Sequence, residues 1–255
     1  MTDLHTHILP GIDDGARTVQ TSLNLLQSEQ RQGVAQIALT PHFNIEKQSV
    51  KEFLHGRNAA ARQLGAAFRN SSLSQHLKLG AEIFYSSELA TIDLRPLCLT
   101  GTNLLLIEFP PAYYPREAED VLYQLTRRGF VPLIAHVERY AFVRENPNIL
   151  CDLIEAGAYT QVNATSLVLH KRHQKLILQM IRHGMIHVLA TDTHSLEKRP
   201  PKYRAALDLI TKKCGTDAAR ALTRNANLLF AGASPMVGEP EMMRHFLFPG
   251  NKEDF

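Results

Sequence analysis

Short apolar runs alternate with longer amphipathic ones along almost the whole chain, and that alternation leaves few folds open. Strands are predicted near Met1–His5, Ala35–Thr40, Leu77–Ile83, Asn103–Phe109, Phe130–Ala135, Tyr159–Asn163 and Ile186–Thr191. They are rich in Ile, Leu and Val, as strands buried on both faces should be. Helices are predicted between them near Val19–Gln32, Val50–Arg69, Glu117–Arg128, Ile149–Glu155, Leu167–His183 and Tyr203–Cys214. In the first helix Val19, Leu23 and Leu26 share a face, and Gly33 ends the element. Parallel strands joined by right-handed helical crossovers form either an open sheet or a closed barrel.

The placement of the polar residues favours closure. His5 and His7 end the first strand, His42 follows the second, Glu82 ends the third, Glu108 the fourth and His136 the fifth; Asp192 and His194 end the seventh. Six of the seven predicted strands thus deliver an imidazole or a carboxylate at the C-terminal edge. Barrel enzymes assemble their sites at that edge, so residues distant in sequence converge there. With Asp14 the set comprises five histidines and four acids, enough for two or three metal ions. Each member has a plainer reading. A lone Glu82 or Glu108 is more often a capping or salt-bridged carboxylate, and His5 with His7, taken alone, is more often a hydrogen-bonded buried pair. In extended backbone those two imidazoles point the same way about 7 Å apart, close enough for one cation to take both.

Size and charge bound the rest. At 255 residues, 44% hydrophobic, with no apolar run able to span a bilayer, the chain fits one domain over 1–255 and no membrane insertion is expected. It opens without a signal-peptide pattern, so a cytoplasmic location is expected. Cys98, Cys151 and Cys214 show no C-x-x-C spacing, which argues against a disulfide framework and a thiolate zinc site. The net charge of +3 comes from scattered Lys and Arg, which disfavours nucleic acid as a partner.

Imidazole and carboxylate donors without thiolate suit Mn²⁺, Fe²⁺, Co²⁺ or Zn²⁺. Three divalent ions less four carboxylates and one hydroxide leave a charge of about +1, which attracts an anion. Arg139 lies three residues beyond His136 and Arg199 five beyond His194, and guanidinium forks match phosphate oxygens.

These segments together resemble the PHP (polymerase and histidinol phosphatase) superfamily, and within it the bacterial capsule and exopolysaccharide type of metal-dependent protein-tyrosine phosphatase. The similarity rests on Asp3-Leu4-His5-Thr6-His7 with Pro10-Gly11-Ile12-Asp13-Asp14-Gly15, on Thr40-Pro41-His42, Gly80-Ala81-Glu82-Ile83, Glu108-Phe109-Pro110, Ala135-His136-Val137-Glu138-Arg139-Tyr140 and Asp192-Thr193-His194. The resemblance implies an α/β fold, a distorted seven-stranded (β/α) barrel, and a trinuclear cluster that is commonly manganese-dependent. It implies one ion on His5, His7, Glu82 and Asp192, a second on Glu82, Glu108 and His136, and a third on Asp14, His42 and His194. Arg139 and Arg199 match its phosphate-binding arginines, and its usual partner is a tyrosine autokinase controlling polysaccharide export. The implied reaction is in-line attack on phosphorus by a hydroxide held between the ions, which needs neither a thiol nor a phosphoenzyme. Asp3 and Asp13 are expected to orient ligating histidines, with Asp13 equally able to cap the turn or helix that follows.

Four rival readings remain beside it. Cys214-Gly215-Thr216-Asp217-Ala218-Ala219-Arg220 has the C-x₅-R spacing of cysteine-dependent phosphatases, but a helix end at Gly215, with Thr216 or Asp217 capping the next helix, is expected there. An amidohydrolase also begins with H-x-H, yet commonly places a carboxylated lysine where this chain has Glu108. Histidinol-phosphate phosphatase shares the cluster. A non-catalytic PHP module would be expected to have lost ligands, and this chain keeps all nine. Lys198 to Arg204 could guide an acidic phosphorylated tail, and Met242, Met243 and Phe246 to Phe248 could pack on the barrel or on another subunit.

Overall fold

A computed structural model describes residues 1–243. Its strands are β1 (Thr2–Asp3), β2 (Gln36–Leu39), β3 (His42–Phe43), β4 (His76–Leu79), β5 (Glu82–Phe84), β6 (Leu104–Glu108), β7 (Val131–Ile134), β8 (Tyr159–Asn163) and β9 (Val188–Ala190). All pair in parallel, in a three-stranded sheet ordered β1-β2-β4 and a six-stranded sheet ordered β3-β5-β6-β7-β8-β9.

Among the described residues nine short strands thus stand where seven longer ones are predicted, and the divisions have local causes. Pro41 has no N–H to offer a ladder, so the second predicted strand stops at Leu39 and resumes as β3. The third is split at Gly80-Ala81, where Gly80 N donates to Leu39 O at 2.9 Å and Glu82 N to Pro41 O at 3.0 Å. The chain therefore changes sheet just before Glu82. The first and last strands are shorter than predicted but meet beyond their ends: Asp192 N donates to His5 O and His7 N to Thr193 O, both at 2.9 Å.

The helices are α1 (Val19–Arg31), α2 (Val50–Arg69), α3 (Ala118–Arg127), α4 (Ala141–Glu145), α5 (Ile149–Glu155), α6 (Ala164–Leu169), α7 (Lys171–Arg182), α8 (Tyr203–Cys214) and α9 (Thr216–Ala231). Thr18 caps α1 by accepting from Thr21 N, and Ser49 with Glu52 forms a capping box on α2. The buried face of α1 is Ser22, Leu25, Leu26 and Glu29, rotated from the predicted Val19-Leu23-Leu26 stripe; Val19 and Leu23 are only half buried. The single helix predicted over Leu167–His183 is two, α6 and α7, because His170 leaves helical geometry at φ −111°, ψ 88°.

Two apolar clusters hold the elements together. The larger packs helices against the outer strand faces. The smaller joins Leu4, Ala38, Leu106, Leu133 and Val188 to Leu229 and Phe230, so the inward faces of both sheets close on α9. Met243 is buried and hydrogen-bonds Asn148, whereas Met242 is exposed; Phe246, Leu247 and Phe248 lie outside the described residues. Among the described residues no helix is long and apolar enough to cross a membrane.

Candidate metal centre

All nine candidate donors converge at the C-terminal ends of the strands. They fall into four overlapping groups: His7, Asp14, His42 and His194; His5, His7 and Asp192; His5, Glu82 and His136; and His42, Glu82 and Glu108. Within each group the ligand atoms lie within 4.8 Å of one another. Glu82 sits at the centre. Its buried Oε2 is 3.3 Å from His5 Nε2, 3.1 Å from His7 Nε2 and 2.9 Å from His42 Nδ1, while His136 Nε2 reaches Oε1 at 2.9 Å. Asp192 Oδ1 lies 3.4 Å from each of His5 Nε2, His7 Nε2 and His194 Nδ1. Asp14, more than half exposed, meets His194 at 3.2 Å and His42 at 3.4 Å on the open side.

Local backbone geometry shows how strongly these positions are constrained. Among the described non-glycine residues only His136 (φ 32°) and Asp192 (φ 52°) have positive φ, and both are candidate ligands at strand ends. Such conformations cost of order 1–3 kcal/mol and persist where the surroundings over-determine them. Gly15 is needed for a different reason. A Cβ there would lie 2.1 Å from His7 O, so only glycine lets the Pro10–Gly15 loop fold back on His7.

The donors suit a cation better than they suit one another. Three imidazole nitrogens crowd Glu82 Oε2, yet none is aligned as a hydrogen bond. His5 Nε2 and His7 Nε2 face each other at 3.1 Å, where at most one can carry the shared proton. Positive charge is borrowed from elsewhere: Arg139 Nη1 lies 3.1 Å from Asp192 Oδ2, Arg199 Nη2 3.3 Å from Asp14 Oδ2, and Arg199 Nη1 2.9 Å from His194 Nε2.

The electrostatics follow from this crowding. Burial opposes charge on His5 and His7, but their carboxylate neighbours outweigh it and raise both pKa values. Burial likewise opposes the anions of Glu82 and Asp192, and the imidazoles nevertheless hold both well below the ordinary carboxylate range. Burial, the charge on Glu82 and weaker opposing imidazoles leave the Glu108 pKa raised. His194 is pulled down to about 4 by burial, then by His7, with Arg199 adding to the effect, which keeps it neutral and able to donate a lone pair.

Residues around the donors fix their orientation. Asp13 Oδ2 accepts from His7 Nδ1 at 2.7 Å and from His42 N at 3.2 Å, and Asp13 Oδ1 accepts from Gly15 N at 3.0 Å. Asp13 therefore both orients a histidine and caps the turn. Burial opposes its charge, but the bond to His7 brings its pKa to about 2. Asp3 departs from expectation. It accepts from His5 N at 3.2 Å, Thr191 N at 3.1 Å and Thr191 Oγ1, so it pins the backbone on both sides of the site and touches no imidazole.

Sequence reasoning missed Gln161 and Asn163. Gln161 Oε1 accepts from His136 N at 2.8 Å and lies 3.2 Å from His5 Nδ1, while Gln161 Nε2 donates to Asn163 Oδ1 at 2.8 Å. Asn163 Nδ2 donates in turn to Asp192 Oδ2 at 2.8 Å. A signal was present: these two amides share one face of β8, the sixth of the seven predicted strands and the one of those seven that delivers no imidazole or carboxylate at its C-terminal edge.

The C-x₅-R segment is no phosphate loop. Cys214 closes α8, Gly215 separates it from α9, and Arg220 pairs with Asp217 at 3.8 Å. Thr216 is the first helical residue and Gly215 the cap, so neither Thr216 nor Asp217 caps this helix. Burial raises the Cys214 thiol pKa, which the nearby Arg182 only partly offsets.

Parallel strands gathering imidazoles and carboxylates at one edge define an α/β protein with a candidate metal site. The profile of the family described as "Capsular polysaccharide synthesis, CpsB/CapC" matches residues 1–231, and the chain belongs to that family. It is 36% identical over 254 residues to the tyrosine-protein phosphatase YwqE of Bacillus subtilis (strain 168), covering 96% of this chain and 97% of that protein. With the tyrosine-protein phosphatase CpsB of Streptococcus pneumoniae it shares 31% identity over 237 residues, 87% of this chain and 94% of the relative. In structure it matches a chain from a study of YwqE and CpsB, described there as unique metal-dependent tyrosine phosphatases. The TM-score is 0.89 at 32% identity, covering 96% of this chain and 100% of the other.

Proposed function

We propose that this chain is a metal-dependent protein-tyrosine phosphatase acting in the capsular or exopolysaccharide system of its cell, with a tyrosine autokinase as its substrate protein. The observation that carries the reading is the crowding of three imidazoles on one buried oxygen of Glu82, with His5 Nε2 and His7 Nε2 only 3.1 Å apart. His5, His7, Asp14, His42, Glu82, Glu108, His136, Asp192 and His194 would hold up to three divalent ions. Mn²⁺ is the first choice, and Fe²⁺, Co²⁺ and Zn²⁺ also fit the donor chemistry.

When bound, such ions supply a nucleophile from water near neutral pH and stabilise charge on the phosphoryl oxygens. The chain's own residues do the rest. Asp13 and Gln161 orient His7 and His5, Glu82 stays anionic among the imidazoles, and Arg139 and Arg199 present guanidinium donors to phosphate beside Asp192. The phenolate of tyrosine has a pKa of about 10 and leaves with little help from an acid.

The reading carries three further elements. The seven βα units close into a distorted barrel, supported by the backbone bonds between His5–His7 and Asp192–Thr193. Residues 1–255 form one domain, and the protein works in the cytoplasm. The deciding test is turnover of a phosphotyrosine peptide beside histidinol phosphate, by protein reconstituted with each metal. Phosphotyrosine is the better substrate on this account, and a preference for histidinol phosphate overturns it.

A further inference from the structure

A cavity of about 260 Å³ opens beside the cluster, and its lining includes Arg139, Asp192 and Arg199 together with His170, His173 and Lys198. That is just below the range, from about 300 Å³, in which small-molecule sites usually fall, and generous for a phosphate alone. Its charge is one-sided. Asp192 is the only carboxylate in the lining, and Arg139 and Asn163 already engage it at 3.1 and 2.8 Å. The basic side chains of the lining other than the two arginines come from two separate places, the junction of α6 and α7 and the loop before Arg199. His170 and Lys198 are exposed, and neither makes an ion pair among the described residues.

Lys198, with no acidic partner among the described residues, stands with two imidazoles able to donate N–H beside two arginines suited to phosphate, and this fits a substrate carrying a second negative group.

We propose that His170, His173 and Lys198 form a specificity subsite that receives a carboxylate side chain flanking the phosphotyrosine, so that acidic peptides are selected over neutral ones. This rests on the phosphatase reading and adds to it the class of peptide preferred. The break between α6 and α7 acquires a purpose: it turns His170 out of a helix and into the rim of the cavity.

The test compares three substrates on the metal-loaded enzyme: p-nitrophenyl phosphate, a phosphotyrosine peptide flanked by Glu, and the same peptide flanked by Gln. Wild type should favour the Glu peptide through KM. Lys198→Ala and His170→Ala should each erode that preference by up to about fivefold, the range of an exposed ion pair, and leave p-nitrophenyl phosphate turnover unchanged. Equal KM for the two peptides in wild type overturns the subsite, as does a parallel loss on all three substrates in the variants. Failure of the phosphatase reading shows separately, as no turnover of any substrate. Equilibrium binding of the Glu and Gln peptides then reads the subsite on its own, and equal affinities overturn it.

Discussion

Gln161 faces His5 with its carbonyl oxygen, 3.2 Å from Nδ1, and the amide has no freedom to turn round. The same oxygen accepts from His136 N while the amide nitrogen donates to Asn163 Oδ1, so Nδ1 of His5 must be the protonated nitrogen and Nε2 carries the lone pair. Gln161→Leu removes the lock. Loss of such a partner typically costs about 10–100-fold in metal affinity, which calorimetric titration of metal-free protein would read, with the fold followed by circular dichroism. Gln161→Glu keeps the acceptor and should bind metal more tightly than the Leu variant. Unchanged affinity in Gln161→Leu contradicts the orienting role.

Cys214→Ser should leave phosphotyrosine turnover within about twofold of wild type. The thiol ends a helix, has a raised pKa and points toward Leu178 O at 3.6 Å, so it is a poor nucleophile. Thiol-alkylating reagents provide the same check without mutation.

His187 makes stability sensitive to acid. Burial holds its pKa at about 4, against 6.5 in the unfolded chain, while its Nδ1 accepts from Thr160 N at 3.1 Å. Below pH 6.5 the unfolded chain takes up a proton that the folded one refuses. The contribution of His187 is therefore complete above pH 6.5, shrinks as pH falls and is gone below about 4, a change of about 3 kcal/mol. His187→Asn offers an oxygen to the same donor without a charge to gain. Urea unfolding of metal-free protein between pH 7 and 4.5 should show a shallower loss for the variant, and identical slopes would sink the assignment.

The strand-end pattern made the candidate centre legible before any coordinates, because parallel strands carry chemistry at one edge whatever their exact bounds. What stayed hidden were interruptions and supports. Pro41 and Gly80-Ala81 divide two strands and move Glu82 into the second sheet, an effect of missing donors and close approach that periodicity does not record. The apolar residues of α1 predict a face, yet the helix buries Ser22 and Glu29, with Glu29 close enough to Thr191 to hydrogen-bond it at 3.1 Å. Gln161 and Asn163 escaped notice because amides ligate metals poorly, and their role lies in holding those that do.

The central claim is that these nine donors form the metal centre and that Arg139 serves the phosphate beside it. Metal content and phosphotyrosine turnover measured together on wild type, His136→Ala and Arg139→Ala test it most directly. We expect His136→Ala to lose both metal and turnover, and Arg139→Ala to keep its metal and lose turnover. Equal activity in all three proteins would contradict the account.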